Sequence, residues 1–308
     1  MTRATTKLAS LAAALALTLA ACGTTTVQAK KPSATGGKTP ASPTARPATP
    51  PPPSILPYRK TELPTAVQQG SMIVGATDPG ASVQYGDRRL RVSPNGRFVF
   101  AVGRDATGSV TVSVNEPVAG KKQYTVNILP RDWPIETING VPPDTVNPPP
   151  EIAARIAREQ SSVAEVRTRD DAREDFAQAF IWPVQGRISG RFGNQRVYNG
   201  TPKSPHSGMD IAAANGTPVK APAAGIVTFA SPSLYLTGGT VVIDHGAGVS
   251  SNFLHLSRID VKVGDRVEQG QVFGAVGATG RATGPHLHWG MNWLDVRIDP
   301  LLVLELAK

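Results

Sequence analysis

Proline limits where this chain can build a core. Ten prolines fall between Gly23 and Pro64, ending a Thr-, Ala- and Lys-rich stretch that includes the run Pro50 to Pro53, and a second run, Pro148 to Pro150, interrupts the middle of the chain. Such a stretch can neither continue a helix nor sit in a central strand, and it is too poor in apolar residues to bury a core. It reads as an extended tether over residues 22–65. At ~3.1 Å per residue where it is polyproline-like, such a tether reaches on the order of 100 Å. About 250 of the 308 residues are left to fold, enough for one or two domains.

All but one unit of the net charge of +9 lies ahead of residue 62. Eight bases precede the first acidic residue, Glu62, so residues 1–61 contribute +8, and the remaining 24 bases against 23 acids contribute only +1. A folded nucleic-acid-binding surface is therefore not expected. Arg3 and Lys7 precede an uncharged, mostly apolar run from Leu8 to Ala21, which reads as a secretory signal over residues 1–21, too short for a permanent membrane span. The only cysteine, Cys22, follows Leu19-Ala20-Ala21 and rules out an internal disulfide framework. Leu-Ala-Ala-Cys-Gly resembles a bacterial lipobox, which implies lipidation of Cys22. Gly23 after it is not the Asp associated with inner-membrane retention, so the expectation is a periplasmic lipoprotein held in the outer membrane.

Between 66 and 131 the pattern becomes short alternating apolar runs separated by Asp78-Pro79-Gly80, Gly86-Asp87 and Pro94-Asn95-Gly96. That spacing predicts a small, immunoglobulin-like β-sandwich, with no histidine and no carboxylate cluster to carry chemistry. Residues 132–181 form a connector, in which Glu151 to Phe180, free of internal Pro and Gly and rich in alternating charge, predicts a helix. Ile181-Trp182-Pro183 opens the last domain, 182–308.

All five histidines, His206, His245, His255, His286 and His288, lie within that domain, with Asp210 and Asp244. Clustering at metal-ligand spacings sets them apart from isolated structural histidines. His206-Ser-Gly-Met-Asp210 predicts a loop entering a strand. In His286-Leu-His288, strand alternation puts both imidazoles on one face. The glycines from Gly277 to Gly284 predict a tight turn and not a phosphate cradle, because no Gly-Lys-Ser/Thr follows. His255 reaches the same face only if the sheet folds back on itself, and His245, beside Gly246, is expected to be structural or peripheral. Spacing alone leaves open whether His286 and His288 both bind a metal.

Taken together and in order, His-Ser-Gly-Met-Asp, Ile-Asp-His-Gly-x-Gly, Phe-Leu-His-Leu-Ser, the Gly277–Gly284 run and His-Leu-His resemble the lysostaphin-like, or LytM-type, zinc endopeptidases of bacterial cell walls. The likeness covers about Trp182 to Leu302. It implies an all-β protein whose C-terminal domain is an antiparallel sheet with a groove over one face. By motif position, His206, Asp210 and His288 would bind Zn2+, and His255 and His286 would be catalytic. Phe253 and Trp289-Gly290 depart from the common Tyr and Phe-Glu, with an altered groove as the expected consequence.

Two imidazoles and one carboxylate leave a fourth position on zinc for water, as in catalytic sites. No His-Glu-x-x-His is present, and the only glutamates after Pro183 are Glu268 and Glu305, so histidine must move the protons. An exported protein on a long tether meets peptidoglycan. The expected reaction is hydrolysis of its peptide cross-links, D-alanyl to meso-diaminopimelate. The competing class is a non-catalytic activator of cell-wall amidases with the same fold, in which ligand or catalytic positions are typically lost. A carboxypeptidase would need a cation for a free carboxylate, and Arg281 is the one motif-adjacent candidate.

Overall fold

The computed structural model describes residues 59–306. Cys22, the apolar run before it and nearly all of the Pro-rich tether lie outside the described residues.

Seven strands, β1 to β7 (Ala66–Gln68, Met72–Ala76, Ser82–Tyr85, Arg88–Leu90, Arg97–Ala101, Ser109–Glu116, Gly120–Leu129), open the described chain. They form a five-stranded sheet, β1-β7-β6-β3-β4, and a β2-β5 pair. Alternation places Val83, Val112, Val114 and Val126 inward, each fully buried, with Phe98 and Phe100 of the pair in the same core. Each such side chain contributes roughly 1.5–3 kcal/mol by leaving water. The turn before β5 needs glycine: Gly96 has φ +72, and a Cβ there would stand 2.0 Å from the Thr77 carbonyl oxygen.

The connector contains β8 (Ile135–Ile138), a short helix α1 (Pro143–Val146) and α2 (Pro150–Glu165). Pro150 and Glu151 suit the first turn of α2, where an N–H is not needed and negative charge is favourable. The helix ends at Glu165, well short of the predicted Phe180, and passes into a 3₁₀ turn over Val166–Thr168. Tertiary ion pairs overrule helical composition here. Arg173 binds Asp171, Asp175 and Asp244, and Arg266 holds Asp175 through two bonds of 2.6 and 2.8 Å. The backbone is drawn onto the sheet, where Phe176 donates its N–H to the His245 carbonyl and both Phe176 and Phe180 are buried.

The remaining strands are β9 to β21 (Arg187–Gly190, Gln195–Tyr198, Thr201–Pro202, Met209–Ala212, Pro218–Lys220, Gly225–Leu234, Gly238–Asp244, Val249–Leu256, Arg258–Ile259, Arg266–Val267, Val272–Ala275, His286–Trp293, Val296–Ile298), closed by α3 (Pro300–Glu305). An eight-stranded antiparallel sheet runs β18-β14-β15-β16-β20-β12-β9, with β21 on β20. A smaller sheet, β13-β19-β17, packs Phe273 against Phe253 at 4.7 Å between ring centroids. The hairpin β10-β11 is extended by β8, which pairs parallel to β10. The first sandwich abuts this half through Tyr85 against Trp293 and the Arg131–Asp299 ion pair at 2.8 Å.

Candidate metal centre

Register brings the first donors together. In the β12–β20 pair Asp210 lies opposite His288 and Ala212 opposite His286, while Ile211 and Leu287 point into the core, both fully buried. His206 comes from the loop ahead of β12, returned to the sheet by Gly208. A Cβ on Gly208 would lie 2.5 Å from the Trp289 carbonyl oxygen and 2.7 Å from His288 Nε2, so only glycine lets the loop close this tightly.

His206 Nε2, Asp210 Oδ1 and His288 Nδ1 form a triangle with sides of 3.0, 2.8 and 3.0 Å. These three buried residues could hold a metal ion. A tetrahedral zinc at about 2.1 Å from each would space them by roughly 3.4 Å, a small expansion of what is present. Protonation favours a cation at this point. His206 Nδ1 must donate to the Arg191 carbonyl at 3.0 Å, which leaves Nε2 a bare lone pair. Burial, against a weaker pull from Asp210, pushes His288 down to about 3, so its ring is neutral. With its proton on Nε2, a buried atom lacking a hydrogen-bond partner, three lone pairs converge and need positive charge between them. Burial opposes the charge on Asp210, but the polar side chains of His206 and His288 against it hold its carboxyl well below the usual carboxylate range. Its second oxygen, Oδ2, accepts from Arg196 Nη2 at 2.6 Å.

His255 reaches this face by backbone strain. Its predecessor Leu254 pairs with His288 and therefore shares the groove face, so simple alternation would turn His255 away. It adopts φ +64 instead, a left-handed conformation uncommon for a residue with a Cβ, with its N–H donated to the Thr237 carbonyl at 2.8 Å. The ring then stands 4.8 Å from that of His286, between centroids. His255 Nδ1 donates to the Thr279 carbonyl at 2.7 Å and His286 Nδ1 to the Gly284 carbonyl at 2.8 Å, so in each ring Nε2 is the nitrogen left for proton transfer. His286 Nε2 lies 3.9 Å from Asp210 Oδ1. Burial, and then the neighbouring His286, push His255 down to about 4, which keeps it a neutral proton acceptor at pH 7. The Gly277–Gly284 run thus supplies the carbonyls that fix both tautomers.

His245 stands apart from this group. It is fully buried, Nδ1 donating to the Ala224 carbonyl at 2.7 Å and Nε2 bonded to Ser251 Oγ at 2.8 Å, and burial pushes it down to about 4. Above pH 6.5 it is neutral folded and unfolded. As pH falls the unfolded chain takes the proton first, so stability is expected to drop between about pH 6.5 and 4, by roughly 3 kcal/mol. Urea unfolding of the parent and His245→Gln at pH 7.5, 5.5 and 4.5 checks this: the variant's loss should be smaller.

Phe253 and Trp289 do not shape the groove as expected. They pair across β16 and β20 on the core face, both fully buried, because they alternate with the groove residues. Gly290 does lie on the groove face, and a Cβ there would meet the Asn252 amide at 2.7 Å. Arg281 donates to the Thr145 carbonyl at 3.0 Å and lies over the Tyr198 ring, so it is occupied by the connector. The residue that sequence reasoning missed is Arg196. Burial works against its charge, but Asp210 and Tyr198 raise its pKa, and it touches Glu136 of β8 at 3.4 Å.

An antiparallel sheet with a His/Asp/His triangle and two further imidazoles defines a metallopeptidase-like centre. Residues 204–300 match the model of peptidase family M23. A solved peptidase M23 structure from Pseudomonas aeruginosa is 31% identical, covers 77% of this chain and 94% of its own, and has a TM-score of 0.59. The chain belongs to peptidase family M23. It is also similar to the peptidoglycan DD-endopeptidase ShyA of Vibrio cholerae, 44% identical over 111 residues, and to the cell division protein DipM of Caulobacter vibrioides, 32% identical over 165 residues. These alignments cover 35% and 52% of this chain, and 26% of each relative's length.

Proposed function

We propose that this protein is a zinc endopeptidase that hydrolyses the peptide cross-links of peptidoglycan, at the bond from D-alanine to meso-diaminopimelate. The observation that carries the reading is the joint presence of the three-donor triangle and, beside it, two imidazoles whose Nδ1 atoms are held by backbone carbonyls and whose Nε2 atoms are left for proton transfer. A relative named a peptidoglycan DD-endopeptidase supports the substrate. Periplasmic attachment through a lipid on Cys22 belongs to the same reading and rests on the sequence signal.

His206, Asp210 and His288 would hold the zinc. When bound there, zinc would supply a Lewis acid for the peptide carbonyl and would lower the pKa of a water toward about 7. His255 Nε2 takes the proton from the attacking water, because its Nδ1–H is committed to Thr279 and the ring is neutral. His286, which must first take a proton on Nε2 from bulk solvent, donates that N–H to the developing oxyanion, while the proton taken from the water stays on His255. One of the two returns a proton to the leaving amine.

Purified cross-linked sacculi, digested by the chain lacking residues 1–22, test the reading. The expected result is loss of cross-linked muropeptide dimers, abolished by chelation and restored by zinc, with the cut bond named by mass spectrometry. Intact dimers in the presence of one bound zinc equivalent would overturn the peptidase and leave the amidase activator.

A further inference from the structure

Glu136 lies outside the residues matched to the family, in a strand of the connector. Yet β8 runs parallel to β10 with Glu136 in register with Arg196. Glu136 Oε2 stands 3.4 Å from Arg196 Nε, and its Oε1 accepts from Asn194 Nδ2 at 2.6 Å. Arg196 in turn gives Nη2 to Asp210 Oδ2 at 2.6 Å and Nη1 to the Tyr198 hydroxyl at 2.9 Å. The side chains of Glu136, Arg196 and Asp210 keep only 25, 15 and 11% of their surface, so water screens these charges poorly. Gly190 makes room for the contact: a Cβ there would fall 2.5 Å from Asp210 Oδ2 and 2.8 Å from Arg196 Nη2.

The arrangement has opposing parts. By taking Oδ2, Arg196 leaves Oδ1 facing His206 and His288, which orients the donor. Its own positive charge, one carboxylate away from the triangle, repels a divalent ion. A second carboxylate on the far side of the guanidinium removes that penalty and leaves the orientation. We propose that Glu136 is a positioning residue of the metal centre, acting through Arg196 to offset its charge, so that a connector strand completes the site. The proposal rests on the metal reading above and deepens it.

The test measures zinc affinity at pH 7.5 by competition with a chromogenic chelator, using the full chain purified in detergent. Glu136→Gln, which keeps the length and an acceptor for Asn194, should weaken zinc binding about tenfold, at the lower end of the usual effect of residues behind metal ligands. In an Arg196→Gln background, where a donor to Asp210 remains without its charge, the same Glu136 substitution should change affinity less than about twofold. If Arg196→Gln does not fold, as judged by thermal unfolding of the metal-free chain, Arg196→Met takes its place in the cycle. The proposal is overturned if Glu136→Gln binds zinc within twofold of the parent. It is equally overturned if the loss is the same with and without the Arg196 charge, since Glu136 would then act directly on the ion or through packing and not through Arg196. A parent chain that takes up no zinc refutes the metal reading itself, before any variant is compared.

Discussion

Asp210→Ala is expected to abolish stoichiometric zinc and, with it, hydrolysis. Removing one of three protein ligands from a site whose apparent binding free energy is on the order of 10–16 kcal/mol costs about 4 kcal/mol, or close to a thousandfold in affinity. Here the loss should be larger than at either histidine. Asp210 is the only anion of the triangle, and it is also the partner of Arg196 Nη2 at 2.6 Å, which its removal would leave buried beside the ion position. Competition with a chromogenic chelator should place the variant's zinc affinity about a thousandfold or more below that of the parent. Retention of a full equivalent by Asp210→Ala would remove the residue from the ligand set.

His255→Ala should separate chemistry from metal binding. The ring makes none of the contacts of the three-donor triangle, so zinc affinity should stay within about threefold of the parent. Turnover of a cross-linked muropeptide dimer should fall by about 10² to 10⁴, the usual contribution of a positioned proton acceptor. KM should change little. The substitution also relieves none of the φ +64 strain, since alanine carries a Cβ, so His255→Gly makes a useful second variant. It should be as inactive as the alanine variant and no less stable. An active His255→Ala enzyme with bound zinc would shift the proton transfer to His286.

The shared face of His286 and His288 was legible in the sequence because strand alternation is a local rule, whereas Asp210 was joined to them only by likeness to the family motif, and the β12–β20 register is what sets it opposite His288. The same rule fails at His255. Its side chain faces the groove through a positive φ fixed by contacts to Thr237 and Thr279, neither of which is adjacent in sequence. Arg196 and Glu136 could not be found from spacing at all. A charged residue in a hairpin and another 60 positions earlier carry no period and no motif, and only the parallel β8–β10 pairing makes them neighbours. The connector helix was overextended for a related reason: composition favours helix through Phe180, whereas Asp244 and Arg266, distant in sequence, capture Arg173 and Asp175 and unwind it.

That capture means that the unit recognisable by descent is smaller than the unit that folds. A fragment cut at Trp182 would retain the matched residues 204–300 but lose Arg173, leaving the buried Asp244 carboxylate without its arginine, and would uncover the pockets that Phe176 and Phe180 fill. Anyone transplanting this M23 domain into another protein should therefore place the junction upstream of Arg169, and retain β8 where metal retention matters. The connector is then inherited with the catalytic half as a single piece, and only the proline-rich leader remains free to vary in length.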